Sequence, residues 1–535
     1  MASPKKDKAA AQNNIEVGEK DKEEKPKDVA VAQKDKEADK NDKAPAPLGN
    51  VLAIGLTAVG AAAGMYLLSK LASHTKSVPY AQSASDDIGI NLNKWQHPVK
   101  DFSSADENLE DRLNSLECVG ELDISQKVWD NATNLVDEVL DLLMVKMREQ
   151  ALKYEGLVFD GYRKQGSARD GLKIRSPDEF DVLLEYHIER LYVEPVPIVD
   201  FGIPRPGLGR MKILNEDCEI ETQFATWIRR KIIVRDQDSY FLKARNLHQT
   251  VFESIMDKCL EKLSRITRQN ISFRLIRSMN PPSVNLTITD IQREKGSLES
   301  FMDWLFTDED DPDVIDIDVV PAMMIVTEKA RGTSGFMPCP RYAVVKWMEE
   351  SQTLASRFED PSMTWRICTS GYEKHCMDMA RNDKKKRYIM TACRIIKTFM
   401  SKERDKSRAG ENHLYISTFL RSFYLKNITF YCMLFTESVT GVYQALGYFL
   451  GFLEISLEEE CLPEFFHGNY LLDNDFPSCA VGGQVNLFGH VSPDTLINAK
   501  RSFKTVKSKL YNMFDESVLE SSACQKFQNF VKSSK

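Results

Sequence analysis

The chain has 535 residues, with 71 Lys and Arg against 79 Asp and Glu for a net charge of −8, and it is 42% apolar and 28% charged. That is an ordinary globular composition with room for two or three domains. The acidic balance excludes a nucleic-acid binder driven by overall charge. Eleven cysteines, scattered and without a C-x-x-C pair, exclude a disulfide framework and read as reduced thiols.

Residues 1–47 match their lysines with as many acids and hold almost no large apolar side chain. They cannot bury enough surface to offset chain entropy, so a disordered charged tail is expected. Leu48 to Leu68 then runs without a charge. As a helix it would reach about 30 Å, the thickness of a bilayer core, so residues 48–69 are expected to be a transmembrane anchor. The long polar segment before it excludes a cleaved signal peptide. Gly60 and Gly64 form a GxxxG face on which two such helices could meet as a homodimer. Lys34, Lys36, Lys40 and Lys43 lie upstream and Lys70 and Lys76 downstream. Loop charge alone would send the large domain across the membrane. The reduced thiols argue for the cytosol, the topology expected here. Residues 70–105, rich in Ser, Asp, Asn and Pro, read as a linker.

From Ile124 to Tyr154, Val128, Leu135, Val139, Leu142, Leu143 and Met147 recur at helical spacing, predicting a long helix behind a sheet. Gly166-Ser167 follows, a small pair whose backbone N–H groups a phosphate can approach. Glu179-Phe180-Asp181-Val182 alternates as a strand does, so both carboxylates share one face. Further strands are predicted over 192–199, 211–214 and 231–234, a helix over 241–266, and strands over 272–275 and 284–289. The run 313–325 is a β-branched strand in which Asp316 and Asp318 share a face. Acids side by side repel, and burying them is costly unless a cation sits between them. Together these are the parts of a two-metal site for nucleotidyl transfer. Runs of strands between helices make the fold α+β. Beyond Arg341 the pattern turns helical, over 388–402, 413–435, 439–457 and 492–514, with breaks at Pro463 and Gly482-Gly483.

The Gly-Ser…Glu-x-Asp run and Ile317–Ala322 resemble the cGAS-like (Mab) nucleotidyltransferases. So do Thr364-Trp365-Arg366, the Cys393…Lys397 helix, Ser422-Phe423-Tyr424-Leu425-Lys426, Leu462–Phe466 and Asn486-Leu487-Phe488. The resemblance covers residues 106–515. It implies a polymerase-β-like nucleotidyltransferase core over 106–340 and an all-helical C-terminal domain over 341–535, with nucleotide in the cleft between them. It also implies that Glu179, Asp181 and Asp318 are catalytic and hold two Mg²⁺ or Mn²⁺ ions, with Asp318 orienting or deprotonating the nucleophile. Gly166 and Ser167 would cradle the phosphates of ATP or GTP, and Lys397 and Ser422 would add nucleotide contacts. Asp316 is expected to be a solvated or hydrogen-bonded neighbour. His375-Cys376 near Cys393 is similar to the family's zinc insertion, but the paired cysteines that complete it are missing, so no zinc is expected.

Other features read as inert. The acidic run 308–313 lacks the glycine and spaced ligands of a calcium loop. Arg229-Arg230-Lys231 and Lys384–Arg387 read as charged surface, with nucleic-acid contact the minor alternative. Sequons at Asn131, Asn270, Asn285 and Asn427 sit in apolar or helical pattern and say little of secretion. Two functions fit. One is a membrane-anchored enzyme joining ATP or GTP into a signalling nucleotide. The other is a non-catalytic nucleotide-binding adaptor of the same fold, similar in layout to mitochondrial adaptors that recruit a dynamin-related GTPase. The three acids favour the enzyme and the anchored layout the adaptor. The outer mitochondrial membrane is the expected location, with the endoplasmic reticulum the alternative.

Overall fold

A computed structural model describes residues 93–535 except 99, 117–119, 201–202, 264, 269–270, 281–282, 291–313, 326–341, 347–360, 473–483 and 490. The charged tail, the apolar run 48–68 with its GxxxG pair, and the acidic run 308–313 lie outside the described residues. Among the described residues no helix is long and apolar enough to cross a membrane.

Helix α1 (Gln126–Ala151) starts where the Ser125 hydroxyl accepts from Val128 N, satisfying one of the free N–H groups of its first turn. Its buried stripe runs through Val128, Leu135, Val139, Leu143 and Met147, whereas Leu142, expected in that stripe, is 39% exposed. The stripe packs on the sheet that follows. Strand β1 (Leu157–Gln165) leads through the short helix α2 (Gly166–Asp170) to β2 (Glu179–Ile188). Then come β3 (Val193–Asp200), β4 (Ile203–Ile213), β5 (Ile233–Asp236) and β6 (Ser239–Leu242). The helix expected over 241–266 is narrower. Phe241 lies in β6, helical turns run to the end of α3 (Glu253–Leu263), and Ile266 lies in β7 (Arg265–Arg268). Strands β8 (Ile271–Asn280), β9 (Ser283–Asp290) and β10 (Val314–Met324) complete this stretch.

All join one 12-stranded sheet. At its centre β10 runs parallel to β2 and antiparallel to β9. The sheet does not end at residue 340. Strands β11 (Tyr342–Val345) and β12 (Trp365–Cys368) extend it past β10 to β4, so the stretch from 341 is not all-helical. Four-residue apolar runs are too short for periodicity to separate strand from helix.

From Ser370 on, the described elements are helical apart from one isolated bridge. The longer ones are α4 (Ser370–Asn382), α5 (Lys384–Arg408), α6 (Ser422–Phe435), α7 (Val442–Glu458), α8 (Pro493–Lys509) and α9 (Ser522–Ser533), with shorter helical turns between. The helix expected over 413–435 breaks at Leu420-Arg421 before α6. Their apolar faces share one core, around Phe399, Tyr431, Phe452 and Phe527. Lys386, expected on a charged surface, is buried, and its Nζ donates to the carbonyls of Met433 and Thr436 at the end of α6. Those carbonyls lack helical partners, and a cation there also suits the helix dipole.

The described part of the expected linker is packed. Trp95 is 4% exposed; its ring meets Phe180 edge-on at 4.9 Å and its Nε1 donates to Asp137. Asp106 is buried and accepts from Tyr443 N at the start of α7.

Candidate active site

The register between β2 and β10 builds the site. Asp316 lies opposite Glu179, Ile317 opposite Phe180 and Asp318 opposite Asp181. Alternation sends Phe180 and Ile317 into the core behind the sheet and leaves the four acids on the other face. One carboxylate oxygen from each of Glu179, Asp181 and Asp318 lies within 4.8 Å of the other two. Asp316 is held to one side, its Oδ1 accepting from Thr287 Oγ1 at 2.7 Å. Asp318 is oriented in the same way by Asn285, whose Nδ2 donates to its Oδ1 at 2.7 Å.

The electrostatics follow from this crowding. Burial, then the charges of Glu179 and Asp318, push Asp181 up to about 7. Asp318 is raised as well, by burial first and then by Glu179 and Asp316, against the Asn285 hydrogen bond. An acid raised in this way reports a site short of positive charge. The converging donors are all carboxylate oxygens, the hard ligands that Mg²⁺ and Mn²⁺ prefer. The residues fit such an ion.

Gly166 closes one side. Gln165 pairs with Asp181 across β1 and β2, and Gly166 follows with φ +74°; a Cβ there would overlap Asp181 Oδ2. Only glycine offers both the left-handed conformation and that closeness. Ser167, half-buried, lies in α2, its carbonyl accepting from Leu172 N at 2.9 Å. Side chains from the later helices clamp α2. The Arg169 guanidinium donates twice to the Asp378 carboxylate on α4, at 2.9 and 2.7 Å, with both residues buried. Lys426 on α6 pairs with Asp170 at 2.5 Å and with Glu373 at 2.6 Å. Burial opposes the Lys426 charge, but those two acids outweigh it and raise its pKa.

The remaining expected residues are placed less directly. Lys397 on α5 donates to the Leu172 carbonyl at 3.1 Å. Burial and then Lys173 lower it to about 8, against the pull of Glu179 and Asp181. It stands near the acids but is engaged with backbone. Ser422 opens α6, exposed, one turn before Lys426 and so on the same helix face. It is not among the side chains that converge on the carboxylates.

Sequence reasoning passed over Lys173, Asn285 and the clamping role of Lys426. Lys173 lies inside the Gly-Ser…Glu-x-Asp spacer, and Asn285 was visible only as a sequon. Neither shows in sequence that it turns toward the acids. Residues 168–379 match the family model of the Mab-21 protein nucleotidyltransferase domain. Over that span the chain is similar to the Mab-21-type nucleotidyltransferases. The matched span holds Glu179, Asp181 and Asp318, whereas Gly166, Ser167, Lys397 and Ser422 fall outside it. Mab-21-type nucleotidyltransferase domains imply a nucleotide substrate and generally use divalent metals. No curated protein matches the chain as a relative.

Proposed function

We propose that this Mab-21-type protein is a metal-dependent nucleotidyltransferase that joins ATP or GTP into a signalling nucleotide. The observation that carries the reading is the convergence of Glu179, Asp181 and Asp318 on two parallel strands, directly against the Gly166 turn. A structural or binding-only fold has no need for three mutually repelling acids brought so close.

In this reading Glu179, Asp181 and Asp318 hold two Mg²⁺ or Mn²⁺ ions, which when bound neutralise the triphosphate and lower the pKa of the attacking hydroxyl. Gly166 and Ser167 offer backbone and hydroxyl donors to the phosphates. Asp318, its Oδ1 held by Asn285, orients the nucleophile or accepts its proton. Lys397 and Ser422 add phosphate and base contacts from the helical side. Residues 48–68 anchor the protein, with the outer mitochondrial membrane as the favoured site and the large domain in the cytosol.

The test is incubation of the purified protein with Mg²⁺ or Mn²⁺ and labelled ATP and GTP. A new metal-dependent product is expected from the parent and none from Glu179→Gln/Asp181→Asn. Nucleotide binding that survives in the double variant, with no turnover in the parent, would replace this reading with the adaptor.

A further inference from the structure

We infer that Lys173 is the built-in counter-cation of the metal-free site, competing with divalent ions for the acidic cluster. The inference rests on the metal-site reading above and adds a regulation to it. Lys173 is 5% exposed. Its Nζ lies 2.7 Å from Asp178 Oδ1 and 3.6 Å from Glu179 Oε2. Both acids are more than half exposed at the side chain, so the buried member of this trio is the cation.

The backbone around Lys173 is pinned from behind. Arg394 Nε donates to the Lys173 carbonyl at 3.1 Å and Lys397 Nζ to the neighbouring Leu172 carbonyl at 3.1 Å, both from α5. The Asp178 carbonyl in turn accepts Asp316 N at 2.8 Å, which ties the lysine's partner to the first residues of β10. With its main chain fixed, only the side chain of Lys173 can answer a change at the acids.

The two contacts differ in what breaking them costs. At 3.6 Å the Glu179 contact is beyond hydrogen-bond range and is mainly Coulombic. The Asp178 contact is a full charge-assisted hydrogen bond. A divalent ion on Glu179 therefore has to displace only the looser contact, and Lys173 keeps its seat on Asp178. Until then the ammonium holds a negative charge in place and raises the concentration of metal needed to load the site. Nucleotide phosphates bring charge that offsets the lysine, so metal and nucleotide loading become coupled.

The experiment is a Mn²⁺ titration followed by thermal melting of the full chain, with and without ATP. The proteins compared are the parent, Lys173→Met, Lys173→Arg and Asp181→Asn. Lys173→Met should melt lower without metal yet half-saturate at roughly tenfold less Mn²⁺, since a unit charge a few ångströms away is worth that much even when well screened. ATP should lower the Mn²⁺ requirement less in Lys173→Met than in the parent. Lys173→Arg should titrate as the parent does. Should Lys173→Met not fold, Lys173→Gln keeps a donor for Asp178 and is read in the same way. A Mn²⁺ response that Asp181→Asn abolishes but Lys173→Met leaves unchanged or weakens would overturn the counter-cation and spare the metal site. A shift shared by Lys173→Arg would show that shape rather than charge is responsible, and would overturn it too. No Mn²⁺ response in either the parent or Lys173→Met would remove the metal reading itself.

Discussion

Asp181 is pushed up to about 7 in the fold, because burial and then its neighbours Glu179 and Asp318 oppose the charge; the unfolded chain gives that proton up near pH 4. Between those values the folded state binds more protons. The stability linked to this group is therefore complete below about pH 4 and is lost as pH rises through about 7. Metal-free parent protein should accordingly lose melting temperature between about pH 5 and pH 8, and Asp181→Asn should flatten that slope while keeping or raising stability at the upper end. Parallel slopes in the two proteins would show that Asp181 is not the group responsible. Gly166→Ala tests the same corner sterically. It forces a side chain into the left-handed region and onto Asp181 Oδ2, so a loss of about 1–3 kcal/mol in denaturant unfolding is expected, together with loss of product. An alanine variant with full activity would mean that the turn and the acid are not a working pair. At this scale the acids were legible because a strand repeats every two residues. Lys173 was not, since its approach to Glu179 depends on how the chain turns after α2.

Helix α2 is five residues long, too short to hold itself in place, and it is fixed by charge from elements far along the chain. The buried Arg169–Asp378 fork joins it to α4, and Lys426 on α6 grips Asp170. Breaking a buried pair leaves one uncompensated charge, so Asp378→Asn should cost about 3–5 kcal/mol. Replacing both partners, as Arg169→Met/Asp378→Leu, should cost less than either single change. If the single variants prove nearly silent in denaturant melts, α2 is not held by this fork. None of these pairings could be read from the sequence, because Arg169 and Asp378 are 209 residues apart, Lys426 and Asp170 lie farther apart still, and nothing local marks them. The roles of β11 and β12 were hidden for another reason: each is four residues long, and only pairing with β10 and β4 makes them strands.

Across the whole molecule, residues 93–106 bind both halves of the described fold. Gln96 N donates to the Ala168 carbonyl in α2 at 3.1 Å, Trp95 backs Phe180 between the two acids of β2, and Asp106 meets the start of α7. The chain that leaves the expected anchor is therefore also part of the scaffold behind the site. The proposed topology, with residues 70–535 in the cytosol, is tested by adding protease to intact organelles, which should then digest the large domain. Full protection, with glycans on the sequons, would reverse the topology and remove access to cytosolic nucleotide. The alternating acids and the apolar stripe of α1 were legible in the amino-acid sequence by itself because each repeats with a period set by backbone geometry, and the Gly-Ser turn because it is a local pair of small residues. Tertiary structure alone decided that Asp318 lies opposite Asp181, that Lys173 stands between Asp178 and Glu179, and that α2 is clamped from the helical part. Those depend on register and long-range packing, which no local period encodes.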